Sequence, residues 1–199
     1  MTEDSGQAMN DETKLKCISL LERTEFFDDE GEWRIAGSDC LIIGGAAIRA
    51  WAKVTEQVLG SGARIIMIEA GKKAGEQFAD SLLKQGLKPE EMGDALELFL
   101  TRGGWGKVRA KIDIKKQTAI FRIWNSVTSR QTNAQKPTCH FISGYLAGVL
   151  TAIFGKNVEC FETKCAAKKD EFCEFQTNSI PCSQIDSTST EASLSQLKQ

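Results

Sequence analysis

Three cysteines and a glutamate are the residues of this sequence best suited to chemistry. The run "ETKCAAKKDEFC" carries Glu162, Cys165 and Cys173, and "PTCHFISGYLAG" carries Cys139 upstream. Thiolates and a carboxylate are competent ligands for Zn²⁺, and four such ligands complete a tetrahedral site with no position open to water. A site of that kind holds structure and carries out no reaction. Soft sulfur also fits Zn²⁺ better than Mg²⁺ or Ca²⁺. Three thiolates and a carboxylate around a divalent ion leave a charge of about −2. Lys164, Lys168 and Lys169 in the same loop oppose that charge, and Asp170, Glu171 and Glu174 add to it.

Other readings of the same residues stand beside this one. Cysteine is among the most buried residue types, so each could be a core thiol. Cys165 and Cys173 flank a short turn and could form a disulfide in an oxidising compartment. There is no C-x2-C pair, so the spacing is not that of a zinc ribbon. Cys160 is a rival ligand because it shares the strand face of Glu162. His140 is another, although one step along a helix it points about 100° away from Cys139.

These residues need elements to hold them. Residues 107–114 alternate Val108, Ala110, Ile112 and Ile114 with charged neighbours, the period of a half-buried strand. "KKQ" turns the chain into a second strand, "TAIFRIWNS". Pro137 starts an apolar helix that ends at Phe154, and "VECFETKC" and "EFCEFQT" are two further strands. This spacing predicts an α+β fold. A four-stranded antiparallel sheet is covered by the helix in β-β-α-β-β order, and N-terminal helices close the core. The return of the strand from the helix brings Cys139, Glu162 and Cys165 to one edge of the layer.

Upstream, residues 14–27 show helical spacing at Leu15, Ile18, Leu21 and Phe26, and "EWRIAG" reads as a strand. In residues 45–59, Ile48, Trp51, Thr55 and Val58 form one helical stripe expected to face the core. Residues 63–85 read as a long helix with Gly71, Gly75 and Ala79 on one face, a spacing that suggests close approach of another helix. Gly144 and Gly148 suggest close packing of the apolar helix on the sheet. After Pro89 a further helix buries Met92, Leu96 and Phe99.

The chain of 199 residues is 41% hydrophobic and 26% charged, with net charge −2. That balance offers no global field for nucleic acid or an anionic membrane. The longest apolar stretch, residues 141–154, is shorter than the ~20 residues a membrane span needs. The N-terminus is acidic and polar and does not read as a signal peptide. A cytoplasmic location is therefore expected. Residues 1–13 and the Ser/Thr-rich 178–199 are expected to be disordered, leaving 14–177 as a single domain with its core at about 115–177.

The run "CHFISGYLAGVLTAIFGKNVECFETKCAAKKDEFCEFQT" resembles the 4-vinyl reductase domain family, as do "EWRIAGSDCLI", "ARIIMIEAGKKAGEQFADSLLKQG" and "RGGWGKV". The family includes sensory domains of phenol- and xylene-responsive activators and stand-alone hydrocarbon-binding proteins, and it shares its fold with subunits of the TRAPP tethering complex. In the aromatic sensors three cysteines and a glutamate hold a zinc. Their spacing, C-x22-E-x2-C-x7-C, matches Cys139, Glu162, Cys165 and Cys173 without a gap. The resemblance thus implies a structural zinc and favours Glu162 over Cys160.

It also implies an apolar pocket beneath the metal, a homodimer, and a protein partner for any signal output. Val149 and Cys160 fall at pocket positions that are aromatic in the phenol sensors. Trp105, Phe121, Trp124 and Tyr145 are further lining candidates, each equally explicable as core packing. The phenol sensors use a pocket histidine upstream of the first cysteine. The only histidine here is His140, so a larger or more apolar ligand than phenol is expected. Two other functions compete: a tetrapyrrole-related reductase or pigment-binding accessory protein, and a TRAPP-like protein scaffold. No dinucleotide motif or catalytic pair supports an enzyme.

Overall fold

The computed structural model describes residues 11–27, 29, 31–35 and 38–177. The expectations for residues 1–10 and 178–199 lie outside the described residues. Helix α1 (Asp11–Glu22) leads into three short antiparallel strands, β1 (Thr24–Phe27), β2 (Glu32–Ile35) and β3 (Ser38–Cys40). Three helices follow: α2 (Gly45–Leu59), α3 (Gly62–Lys84) and α4 (Met92–Arg102). The C-terminal half runs β4 (Lys107–Asp113), β5 (Thr118–Trp124), α5 (His140–Phe154), β6 (Cys160–Lys164) and β7 (Cys173–Thr177). Its sheet is antiparallel throughout, in the order β4-β5-β7-β6. The four-stranded sheet and β-β-α-β-β order are those expected from the alternation. Among the described residues no helix is long and apolar enough to cross a membrane.

The core lies between this sheet and α5. Val108, Phe121, Ile123 and Phe175 from the strands are buried with Leu146, Val149 and Leu150 from the helix. Strand period explains the selection: in β5, Ala119, Phe121 and Ile123 point inward and Ile120 points out.

The other side of α5 packs on α3 through glycines from both helices. A Cβ on Gly75 would lie 2.8 Å from the carbonyl carbon of Tyr145, and one on Gly144 would lie 2.7 Å from that of Ile68. Gly71 and Gly148 meet the facing backbone in the same way. The close partner of Gly144 and Gly148 is therefore helix α3, where the sequence suggested the sheet.

Two expected faces differ in the structure. In α1 the buried residues are Thr13, Cys17 and Leu20, while Leu15 is 67% exposed. Polar contacts fix this rotation: Thr13 Oγ1 donates to Glu91 at 3.2 Å, and Lys16 Nζ donates to Glu91 at 3.0 Å and to the Gly86 carbonyl at 2.6 Å. The predicted helix also stops at Glu22, and Phe26 lies in β1. Helix α2 has the predicted span but buries no residue, and Trp51 and Val58 are 48% and 74% exposed. Its apolar stripe faces outward because α2 docks through Gly45 and Arg49, whose guanidinium donates to the Val127 carbonyl at 3.1 Å.

Candidate metal centre

Cys139 immediately precedes α5, Glu162 lies in β6, Cys165 follows β6 and Cys173 opens β7. Their ligand atoms all lie within 4.8 Å of one another. The three cysteines are fully buried, and the Sγ atoms of Cys139 and Cys173 are 3.6 Å apart. The arrangement could hold a metal ion.

Local structure sets each position. The Cys139 N–H donates to Glu162 Oε2 at 3.0 Å, so the carboxylate serves the orphan donors at the start of α5. The Cys165 N–H donates to Asp170 Oδ2 at 2.8 Å, which closes the turn toward Cys173. Lys169 completes that turn with a left-handed φ of 75°. The Ala166 N–H points at Cys173 Sγ, 3.4 Å away.

Four acidic groups this close cannot all ionise without a counter-charge. Burial, with a hydrogen bond to Cys165, pushes the Glu162 carboxyl up to about 8. Hydrogen bonds to Cys165 and Cys173, together with burial, push the Cys139 thiol far up. The same bonds, received by Cys165, hold its thiol down. The cluster thus keeps protons that a divalent cation would displace. Glu162 supplies an independent sign of fit. Its second oxygen, Oε1, is buried with no hydrogen-bond partner, an expense a bound cation would remove.

Sequence reasoning missed the hydroxyls around the sulfurs. Thr128 Oγ1 donates to Cys139 Sγ at 3.1 Å and shares a 3.0 Å bond with Ser126, while Cys173 Sγ donates to Ser129 Oγ at 3.4 Å. All three hydroxyl residues are buried. The signal was the run "NSVTSR" between a core strand and a core helix, where a solvated loop needs no such burial. Groups behind metal ligands typically contribute 10–100-fold to affinity. Thr128→Val is therefore expected to weaken metal binding by about tenfold or more in competition with a chelator. Thr128→Ser should retain it, and equal affinity for all three proteins would remove this role.

The rival ligands stand apart. Cys160 is buried in the core, where burial pushes its thiol up to about 12, and it is not in the cluster. His140 is also outside it; burial and then Arg64 lower its pKa. Lys164 extends over the Phe172 ring, 4.9 Å from its centroid, and Lys168 and Lys169 are exposed.

The six lining candidates separate. Trp105 and Tyr145 border an apolar cavity of about 10 Å³ with Leu100, Ile123 and Ile142. Phe121, Val149 and Cys160 are core residues. Trp124 is on the opposite face of the sheet, with its ring centroid 5.2 Å from that of Phe172. A larger cleft of about 360 Å³ lies between α1, the N-terminal sheet, α3 and α4. Leu21, Ile35, Phe78, Leu82 and Phe99 form its apolar wall, and none of the six candidates lines it. An aromatic ladder joins the two spaces: Trp105 stacks on Tyr145 at 6.5 Å, Tyr145 meets Phe78 at 5.7 Å, and Phe78 meets Phe99 at 5.5 Å.

A helix-covered antiparallel sheet with a thiolate and carboxylate cluster at one edge defines the class. Residues 119–178, which span that sheet and cluster from β5 onward, match the 4-vinyl reductase domain. The fold as a whole is similar to the phenol-responsive sensory domain of the transcription activator PoxR, solved with phenol. The TM-score is 0.72 at 22% identity, over 94% of this chain and 98% of that one. A vinyl-4-reductase family protein from Methanocaldococcus jannaschii is similar with a TM-score of 0.50 at 20% identity, over 71% of this chain and 85% of that one. Among curated proteins, the uncharacterized protein MJ1642 of the same organism is 33% identical over 72 residues, 35% of this chain and 45% of that protein. The chain spans about half the length of the curated relatives it matches, from 45% to 65%.

Proposed function

We propose that residues 14–177 form one sensory or carrier domain that binds a small hydrophobic molecule, with a structural zinc held by Cys139, Glu162, Cys165 and Cys173. The apolar cleft of about 360 Å³ carries this reading. Its size falls within the roughly 300–1,000 Å³ of small-molecule sites, and aromatic and aliphatic walls are what such sites use. The likeness in fold to a phenol-responsive sensory domain supports the same class of function. The zinc assignment rests on the donor set and on the unpartnered Glu162 oxygen. With four protein ligands the ion has no open position, so it braces the end of α5 against the last hairpin.

The domain acts as a homodimer in this proposal. Trp51, Val54 and Val58 on α2 and Ile65 and Ile66 on α3 form an exposed apolar set that a second copy would cover. Output then passes to a protein partner, in the cytoplasm.

Native mass spectrometry of protein purified from its source tests the proposal. A bound apolar small molecule is the expected result. A bound pigment would favour the tetrapyrrole-related function instead. An empty cleft with a co-purifying protein would favour a scaffold.

A further inference from the structure

The large cleft is not uniformly apolar. Leu21, Ile35, Phe78, Leu82 and Phe99 line its body, while charge is confined to Glu22 and Arg102. Arg102 is in the last turn of α4 and is exposed. It makes no hydrogen bond or ion pair with any described residue. Other arginines of the domain are engaged: Arg109 by Glu97 at 2.8 Å and Arg122 by Glu174 at 2.9 Å.

Resting on the proposed ligand-binding role of this cleft, we infer that its ligand is a monoanionic amphiphile, with an apolar tail in the cleft and a single negative head on Arg102. A guanidinium offers a planar fork that pairs with a carboxylate through two hydrogen bonds. Beside an apolar wall such a pair is screened less than in open water. A wholly apolar ligand would use neither charged residue. Glu22 sets the limit on the head group. One negative charge is neutralised by Arg102, whereas a dianion would meet Glu22 with its second charge uncompensated. A cationic head would meet Arg102 directly.

Isothermal titration calorimetry on the full chain with decanoate, decanol and decylamine, each kept below its aggregation limit, tests this. Decanoate is expected to bind about tenfold or more tighter than decanol, the contribution of a hydrogen bond to a charged group. Decylamine should be the weakest. Arg102→Ala should abolish the preference for decanoate and leave decanol binding unchanged. Because Arg102 is exposed, this variant should keep its fold, and an unchanged thermal midpoint confirms that. Equal binding of decanoate and decanol, or a preference that survives in Arg102→Ala, overturns the head-group assignment and leaves the apolar cleft standing. Failure of all three compounds to bind overturns both.

Discussion

Cys165→Ser is expected to give a chain with no stable native state. Cys165 is fully buried, and its sulfur is one of four converging ligand atoms. A structural zinc contributes on the order of 10 kcal/mol of apparent binding free energy. Whole domains are stable by only about 5–15 kcal/mol. Removing one ligand leaves the carboxylate and two thiols buried without their counter-charge, so the loss exceeds what one altered side chain would cost. Cys173→Ser should behave in the same way. Cys160→Ser is the control, because Cys160 is equally a buried thiol but lies outside the cluster. A hydroxyl without a good partner there costs about 1–3 kcal/mol, so this variant should remain folded with a lowered midpoint. Thermal unfolding followed by near-ultraviolet circular dichroism separates the two. A Cys165→Ser protein that melts with Cys160→Ser would show that the cluster's sulfurs are ordinary core atoms.

The second large effect is expected where α3 crosses α5. Gly75→Ala and Gly144→Ala each place a methyl group within 3.0 Å of facing backbone, which cannot rotate away as a side chain can. Overpacking of this kind costs about 1–3 kcal/mol and sometimes more. It outweighs the gain of about 0.5–1 kcal/mol that alanine brings to a helix interior. Gly93 in α4 provides the contrast. A Cβ there meets Ile112 at an ordinary 3.8 Å, so Gly93→Ala should be neutral or slightly stabilising. The facing residues give this crossing a functional side. Gly75 lies against Tyr145, and Tyr145 packs on Phe78 in the wall of the cleft. Variants that separate the helices should therefore weaken ligand binding as well as folding. Chemical denaturation of the three proteins checks the order: equal stability of Gly75→Ala and Gly93→Ala would contradict the crossing.

Legibility in the sequence followed burial. Strands β4 and β5 were readable because one face of each is buried and the period is two. The same period bears on Trp124. It lies three residues from Phe121 in one strand, an odd spacing that sends the two side chains to opposite faces. Helix α2 was readable as amphipathic, but amphipathicity does not say what covers the apolar side, and here that side is exposed. The rotation of α1 depends on Thr13 and Lys16 reaching Glu91, contacts across more than 70 residues that no local pattern encodes. Strands β1 and β3 are short, and β1 buries nothing, so neither leaves an alternating signature. At the cluster, residue types suggested the donors, and the resemblance selected Glu162 over Cys160. The hydroxyls of Thr128 and Ser129 became visible only when the loop was seen to turn inward. The cleft was hidden for a related reason. Its walls come from four separate elements, each apolar for what looks like ordinary packing.

Metal analysis of the purified full chain, coupled to its unfolding, tests the central claim most directly. The account predicts one zinc per chain, and predicts that its removal by a chelator coincides with loss of tertiary structure and of binding in the cleft. A metal-free chain with the same thermal midpoint and the same ligand affinity would contradict it.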